Sequence, residues 1–356
     1  MQTLHFVYEA LPGRIVFGAG AVDQLADEVK RLNGQRVLGL CEAAHQAQFA
    51  ELLRPLGAQL AGIFAEVAPH VPIATVERAR AQARVLAADC LVTFGGGSAT
   101  GLGKAVALET GLPILAIPTT YAGSEMTPIY GITSEGQKRT GRSLAVLPRT
   151  VIYDPRLTLG LPPTETGPSG LNALAHCVEA MYAQAANPVT SSLAEEGVRV
   201  LYQDLPLAVA QPTDEAGRGA VLYGAYLAGT ALAAVGMALH HRICHVLGGT
   251  FGLGHGQANA VILPHVVQYN AAYIPDAMQR LRRALATDDP AGTLFDFNQR
   301  INNPVSLQEL GMHEADLERV LQLTLDPPGY NPRPVEAASL RALLRHAFYG
   351  NRPASL

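Results

Sequence analysis

Cys90-Leu-Val-Thr-Phe-Gly95-Gly96-Gly97-Ser98-Ala-Thr-Gly101-Leu-Gly-Lys104 decides the fold. It runs from an apolar, strand-like stretch through three glycines into a helical pattern (Lys104-Ala-Val-Ala-Leu-Glu). Glycines let a backbone approach a ligand closely, and the first N–H groups of a helix attract an anion such as pyrophosphate. The spacing is neither the dinucleotide GxGxxG nor the Walker GxxxxGK[ST], because residue 98 is serine and Ala105 follows the lysine. Such a turn also serves simply to pack a helix on a strand, so it needs corroboration.

Corroboration lies on both sides. Arg14-Ile-Val-Phe, Arg36-Val-Leu-Gly-Leu-Cys41, Leu60 to Val67, Ile114-Leu-Ala-Ile and Val151-Ile-Tyr read as further strands, with helical patterns between several of them. Alternating strands and helices imply a parallel, Rossmann-like sheet with ligands at the strands' carboxyl ends. A second polar loop, Pro118-Thr119-Thr120-Tyr-Ala-Gly-Ser124-Glu125, also follows a strand and offers hydroxyls to a nucleotide. Glu42, just past its strand, suits a ribose hydroxyl and disfavours a 2′-phosphate, hence NADH over NADPH. The candidate cofactor contacts are therefore Glu42, Gly95, Gly96, Gly97, Ser98, Thr119, Thr120 and Ser124. Lys138 joins them from a hairpin expected around Ser134–Gly136.

Leu159 to Gly170 is rich in Pro and Gly, and almost everything beyond reads helical. Residues 1–160 are expected to form an α/β nucleotide-binding domain and 161–356 an all-α catalytic domain. The 356 residues suffice for two cores. A net charge of −4 with no long basic run argues against a nucleic-acid partner. Cys41, Cys90, Cys177 and Cys244 are far apart and form no CxxC pair, which suits a reducing, cytoplasmic setting. The first residues lack the pattern of a signal peptide. Val221 to Leu239 is uncharged and long enough to cross a bilayer. Its Ala and Gly content, and the histidines that follow it, favour a buried core helix and no membrane partner.

Those histidines carry the chemistry. Asn172 and His176 are one helical turn apart, as are His241 and His245, and His255 returns after a glycine-rich turn. One such histidine is ordinary; this many among eleven, all beside apolar helices, point to a shared site. Arg242, adjacent to His241, is expected to point away from it.

The GGGS loop, the PTT…GSE loop, VIYDP, the helix with Asn172 and His176, HHxxCH…HG and Asn331-Pro-Arg-Pro resemble, along the whole chain, the iron-containing (group III) alcohol dehydrogenases, and among them the maleylacetate reductase branch. The resemblance implies a dehydroquinate synthase-like architecture and a homodimer. It places the family's metal ligands on Asn172, His176, His241 and His255, and a non-ligand histidine near the nicotinamide on His245. Metal-dependent relatives carry aspartate where this chain has Asn172 and Gly101. Three imidazoles and a neutral amide lack the hard anion that Fe²⁺ favours, so no bound metal is expected.

The implied reaction is reduction of the C=C bond of maleylacetate, a small dicarboxylate, to 3-oxoadipate in the degradation of aromatic compounds, with NADH as donor and NADPH as a tolerated second one. His241, His245, His255, His176 and Asn172 are then the catalytic candidates, with cationic imidazoles steadying the oxyanion. Tyr330 and Arg333 are candidate substrate contacts. The alternatives are a metal-dependent alcohol dehydrogenase for simple alcohols or aldehydes, and a non-catalytic nucleotide-binding module.

Overall fold

The structure, a computed structural model, describes residues 6–11, 13–134, 137–327 and 329–354. Leu11–Leu161 form one compact unit; Pro162–Leu356, with the segment up to Ala10, form a second.

The first unit is built on a six-stranded sheet. Its strands are β1 (Arg14–Phe17), β2 (Val37–Leu40), β3 (Leu60–Phe64), β4 (Cys90–Gly95), β5 (Ile114–Pro118) and β8 (Thr150–Tyr153). All pairs are parallel, in the order β1-β8-β5-β4-β2-β3. β2, β4, β5 and β8 are buried along their whole length, as parallel strands with both faces covered must be. Helices α1 (Leu25–Arg31) and α2 (Gln46–Leu53) cover one face through Leu25, Val29, Phe49 and Leu53. Helices α3 (Ile73–Val85) and α4 (Gly97–Thr110) cover the other through Val76, Ala79, Leu102 and Val106. The expected α/β unit with a parallel sheet is present. α4 settles onto β4 because residue 103 is glycine: a Cβ there would lie 2.5 Å from Thr93 Cγ2. β6 (Ile129–Ser134) and β7 (Gln137–Arg142) pair antiparallel. Glu135 and Gly136, the turn expected between them, lie outside the described residues.

Chain order reverses between β2 and β4: β3 lies outside β2, whereas β5, β8 and β1 extend beyond β4. At such a switch point, loops leaving neighbouring strands diverge and open a crevice. Glu42 follows β2 and the glycine turn follows β4, so both stand at this crevice.

The second unit is helical. It comprises α5 (Pro163–Ala180), α6 (Pro188–Ala210), α7 (Glu215–Val235), α8 (Leu239–Phe251), α9 (His255–Asn270), α10 (Pro275–Leu285), α11 (Pro290–Arg300), α12 (Leu317–Leu325) and α13 (Ala337–Tyr349). α6 starts sharply: Asn187 Oδ1 accepts from the Val189 and Thr190 N–H groups, while Thr190 Oγ1 accepts from the Asn187 N–H. α7 carries the apolar run only as far as Val235, where Gly236 at φ 77° ends it and Leu239 opens α8; its most apolar stretch is 67% buried. Small residues bring it close to its neighbours. A Cβ on Gly224 would meet Leu201 at 2.6 Å, and one on Gly197 of α6 would meet Cys177 Sγ at 2.5 Å. α7 is thus a core helix, and its tight seat is what aims the following α8. A separate apolar core joins α8, α9, α12 and α13 through Ile243, Leu247, Ile262, Val266, Leu321 and Leu344.

Candidate active site

In the first unit, β4 runs straight into the glycine turn. Gly95 has φ 138°, a conformation that favours glycine. Gly96 precedes α4 without any side-chain cap, leaving the first N–H groups of the helix available to an anion. The Thr119 N–H donates to the Gly95 carbonyl at 3.1 Å, so the two polar loops run side by side. A Cβ on Gly96 would come within 3.1 Å of Thr120 Cγ2. The bare backbone therefore makes a cradle that any larger side chain would fill. The hydroxyls of Ser98, Thr119 and Thr120 have no protein partner among the described residues, which leaves them open to a ligand. Glu42 is half-buried and caps no helix with its side chain.

The Ser124 carbonyl accepts from Lys104 Nζ, which also donates to Thr127 Oγ1 at 3.0 Å and the Ile129 carbonyl at 2.8 Å; the Ser124 hydroxyl lies 3.3 Å from the same nitrogen. Lys104 is fully buried, and burial pushes its ammonium down to about 7 while neighbouring Glu125 pulls it up. Lys104 thus ties the second loop to α4, and Ser124 is part of that tie. The side chain of Lys138 lies outside the described residues.

In the second unit, α5, α8 and α9 bring the histidines together. His241 is central: its ring lies 4.5 Å from that of His176, 4.8 Å from His240, 6.4 Å from His245 and 6.3 Å from His255. His245 and His255 are exposed and nearly parallel, 5.8 Å apart. Asn172 is held by Asn259, whose Nδ2 donates to Asn172 Oδ1 at 2.8 Å.

Glu179, on α5, organises the cluster. It is fully buried at the start of α8, where its carboxylate accepts from the N–H groups of Ala238 (3.0 Å), His240 (2.8 Å) and His241 (3.4 Å). A carboxylate is favoured there by the unpaired N–H groups and the positive end of the helix. Burial pushes its carboxyl up; His240 and the backbone donors pull it back down. His241 Nδ1 also reaches Glu179, at 2.8 Å.

The hydrogen bonds fix the tautomers. The Asn259 carbonyl can only accept, so His240 Nε2, 3.0 Å away, carries the hydrogen. Neutral His240 Nδ1 is then an acceptor, and His241 Nδ1, 3.2 Å from it and beside the carboxylate, must be the donor. That leaves His241 Nε2 with a lone pair, buried and unpartnered among the described residues. Burial and mutual repulsion hold His176 and His241 well below the usual histidine range, and burial lowers His240 too. Before any ligand binds, burial therefore favours the neutral form of His176 and His241.

A cleft of ≈ 480 Å³ opens beside His241 and His245, and Arg242, Asp326 and Tyr330 are among its other lining residues. The Arg242 side chain leaves α8 toward Thr324, whose carbonyl accepts from Nε, and it lines the same cleft as His241. Tyr330 donates to the Tyr182 carbonyl at 3.2 Å. Arg333 packs over the Tyr269 ring at 4.1 Å and donates to the Tyr269 carbonyl, lining a smaller cavity of ≈ 140 Å³. Glu179 and Asn259 were not singled out in the sequence. For Glu179 a signal existed: it lies three residues after His176, the single charged residue in the second half of α5.

Comparison with known proteins places this arrangement. The family described as Iron-containing alcohol dehydrogenase matches residues 12–155, and its C-terminal counterpart matches residues 166–348. The chain belongs to the iron-containing alcohol dehydrogenase family. Within this family it is 49% identical to the maleylacetate reductase of Burkholderia cepacia, over 98% of this chain and 99% of the relative. It is 47% identical to that of Rhizobium sp. (strain MTP-10005), over 98% and 99%. Among solved structures, the maleylacetate reductase of Agrobacterium tumefaciens is 44% identical with a TM-score of 0.96, covering 99% of this chain and 100% of that one. A putative alcohol dehydrogenase from Ralstonia eutropha JMP134 is 52% identical with a TM-score of 0.97, over 99% and 100%.

Proposed function

We propose that this chain is a cytoplasmic maleylacetate reductase, using NADH in preference to NADPH to reduce the substrate's C=C bond and form 3-oxoadipate, and acting as a homodimer. The observation that carries the reading is a histidine cleft holding Arg242, with a neutral amide, Asn172, one helical turn from His176 where the resemblance implies an anionic ligand. The full-length likeness to proteins named maleylacetate reductase supports it. Four buried, unpaired cysteines agree with a reducing compartment.

The bare Gly96 cradle and the uncapped start of α4 fit a pyrophosphate. Gly95, Gly96, Gly97 and Ser98 would hold it, Thr119 and Thr120 the adjoining sugar, and Glu42 a ribose hydroxyl. When bound, the reduced nicotinamide supplies hydride to the alkene carbon β to the ketone. Electron density then moves onto the ketone oxygen, and a proton must reach the α-carbon. His241, backed by Glu179, takes up a proton on Nε2 as the dianion arrives, because nearby negative charge favours imidazolium. That imidazolium, with His176 and His255 around it, steadies the enolate oxygen. His245, exposed beside His255, delivers the proton to carbon. Arg242 and Tyr330 meet the carboxylates.

The iron implied by the family description does not fit these donors. Glu179 and His241 Nδ1 are spent on each other and on the start of α8. The amide oxygen of Asn172, the only oxygen at its position, already accepts from Asn259. Three imidazoles remain, without the hard anion that a divalent iron prefers.

Steady-state assays following NADH with maleylacetate and with a simple aldehyde such as butanal test the assignment. Maleylacetate should be favoured in kcat/KM by at least about a thousandfold, the equivalent of roughly 4 kcal/mol of differential binding in the transition state. Preference for the aldehyde would instead establish the alcohol dehydrogenase alternative. NADH binding without turnover of either would establish a nucleotide-binding module. His245→Ala should lower turnover by roughly a hundredfold or more, as loss of a general acid does. Near-normal turnover in that variant would remove His245 from the mechanism.

A further inference from the structure

Asn259 is fully buried on α9, and its amide orientation is fixed by chemistry. Its Nδ2 lies 2.8 Å from the His255 carbonyl, which can only accept. The same nitrogen lies 2.8 Å from the Asn172 side chain, so the Asn172 atom facing it must be the oxygen. Nδ2 is then the only part of the Asn172 amide left unengaged, since it has no partner among the described residues. Asn172 keeps 6% of its surface open, as does His176 one turn further along α5.

A second observation separates Asn259 from ordinary packing. Its Oδ1 is buried with no partner among the described residues. An orphaned acceptor is costly, and an apolar residue of similar volume would avoid that cost. The side chain is thus retained at a penalty, and what it achieves on its satisfied side is to hold one orientation of Asn172.

We infer that Asn259 is a positioning residue: it turns Asn172 so that the amide's Nδ2, a donor, meets the substrate's ketone oxygen as that oxygen becomes an enolate. The inference rests on the reductase reading above. It gives the site a donor at residue 172 and an acceptor, His241 Nε2, before substrate arrives.

The test uses the full-length enzyme and two probes that differ at the ketone, 3-oxoadipate and adipate, with binding followed by calorimetry. The wild type should prefer 3-oxoadipate by about tenfold, the value of one hydrogen bond to a polarised oxygen. In Asn259→Asp the preference should vanish while the dissociation constant for NADH stays within about twofold, and kcat for maleylacetate should fall about thirtyfold or more. In an Asn172→Ala background, Asn259→Asp should cost less than about threefold, because the two residues act as one unit. Asn259→Leu, similar in volume, provides the same comparison if the aspartate variant does not fold. An unchanged preference, or independent multiplication of the two losses in an active enzyme, overturns the role of Asn259 alone. A wild type inert to maleylacetate overturns the reductase reading and this inference with it.

Discussion

Replacing His241 with alanine is expected to lower kcat/KM for maleylacetate by about 10²- to 10³-fold, the range for losing a polar group that meets developing charge in a water-poor site. His241 is the ring that touches all the others, and its Nε2 is the buried nitrogen left unpartnered beside the cleft. The fold should survive, because the backbone N–H groups of Ala238, His240 and residue 241 continue to satisfy Glu179. Truncating a buried ring still leaves a cavity, so a stability loss of about 2 kcal/mol is expected in denaturant titration. NADH affinity should hold, since the phosphate cradle belongs to the other unit. Wild-type turnover in a folded His241→Ala enzyme would contradict the role assigned to the histidine cluster.

Asn172→Asp carries the second large effect, in two directions at once. The new carboxylate can keep the hydrogen bond from Asn259 Nδ2, so the fold has no reason to change. Its second oxygen, however, replaces a donor with an anion where the substrate brings two negative charges. At roughly 5 Å and an effective dielectric of 20, one such repulsion costs about 3 kcal/mol, or about two hundredfold in kcat/KM. The same oxygen supplies the hard anionic ligand that the imidazoles lack. The variant should therefore bind close to one zinc or iron per chain by elemental analysis, where the wild type binds almost none. A variant with wild-type kinetics and no metal would show that residue 172 does not set the character of the site.

Much of this was legible in the sequence, for physical reasons. Continuous apolar strands announce a sheet covered on both faces, and Cys90 to Lys104 shows strand, turn and helix in order. Glycine at 96 could be read as a backbone kept bare for a ligand. Histidines at helical spacing announce that they share a face, and α5 and α8 do bring His176 and His241 into ring contact.

Four features were hidden because they depend on what lies across from a helix. Glu179 meets the start of α8, 59 to 62 residues away in the chain. Nothing local says that a carboxylate there will cap another helix, or that the cap will set a histidine tautomer. For Arg242, helical spacing gives the direction of the side chain's first bond only. A long flexible arm can swing back into a broad cleft, as this one does toward Thr324. The burial of His176 and His241 against one another, which lowers both below the usual histidine range, depends on helix packing that spacing alone does not give. The buried Lys104, which holds the Ser124 carbonyl from twenty residues earlier, is equally invisible in local spacing.

The most direct test follows NADH absorbance on mixing purified enzyme with maleylacetate, before and after exhaustive EDTA treatment. NADH should be consumed at the same rate in both cases, with 3-oxoadipate as product. Activity that disappears with EDTA and returns on adding iron or zinc would contradict a site that works through imidazoles and an amide.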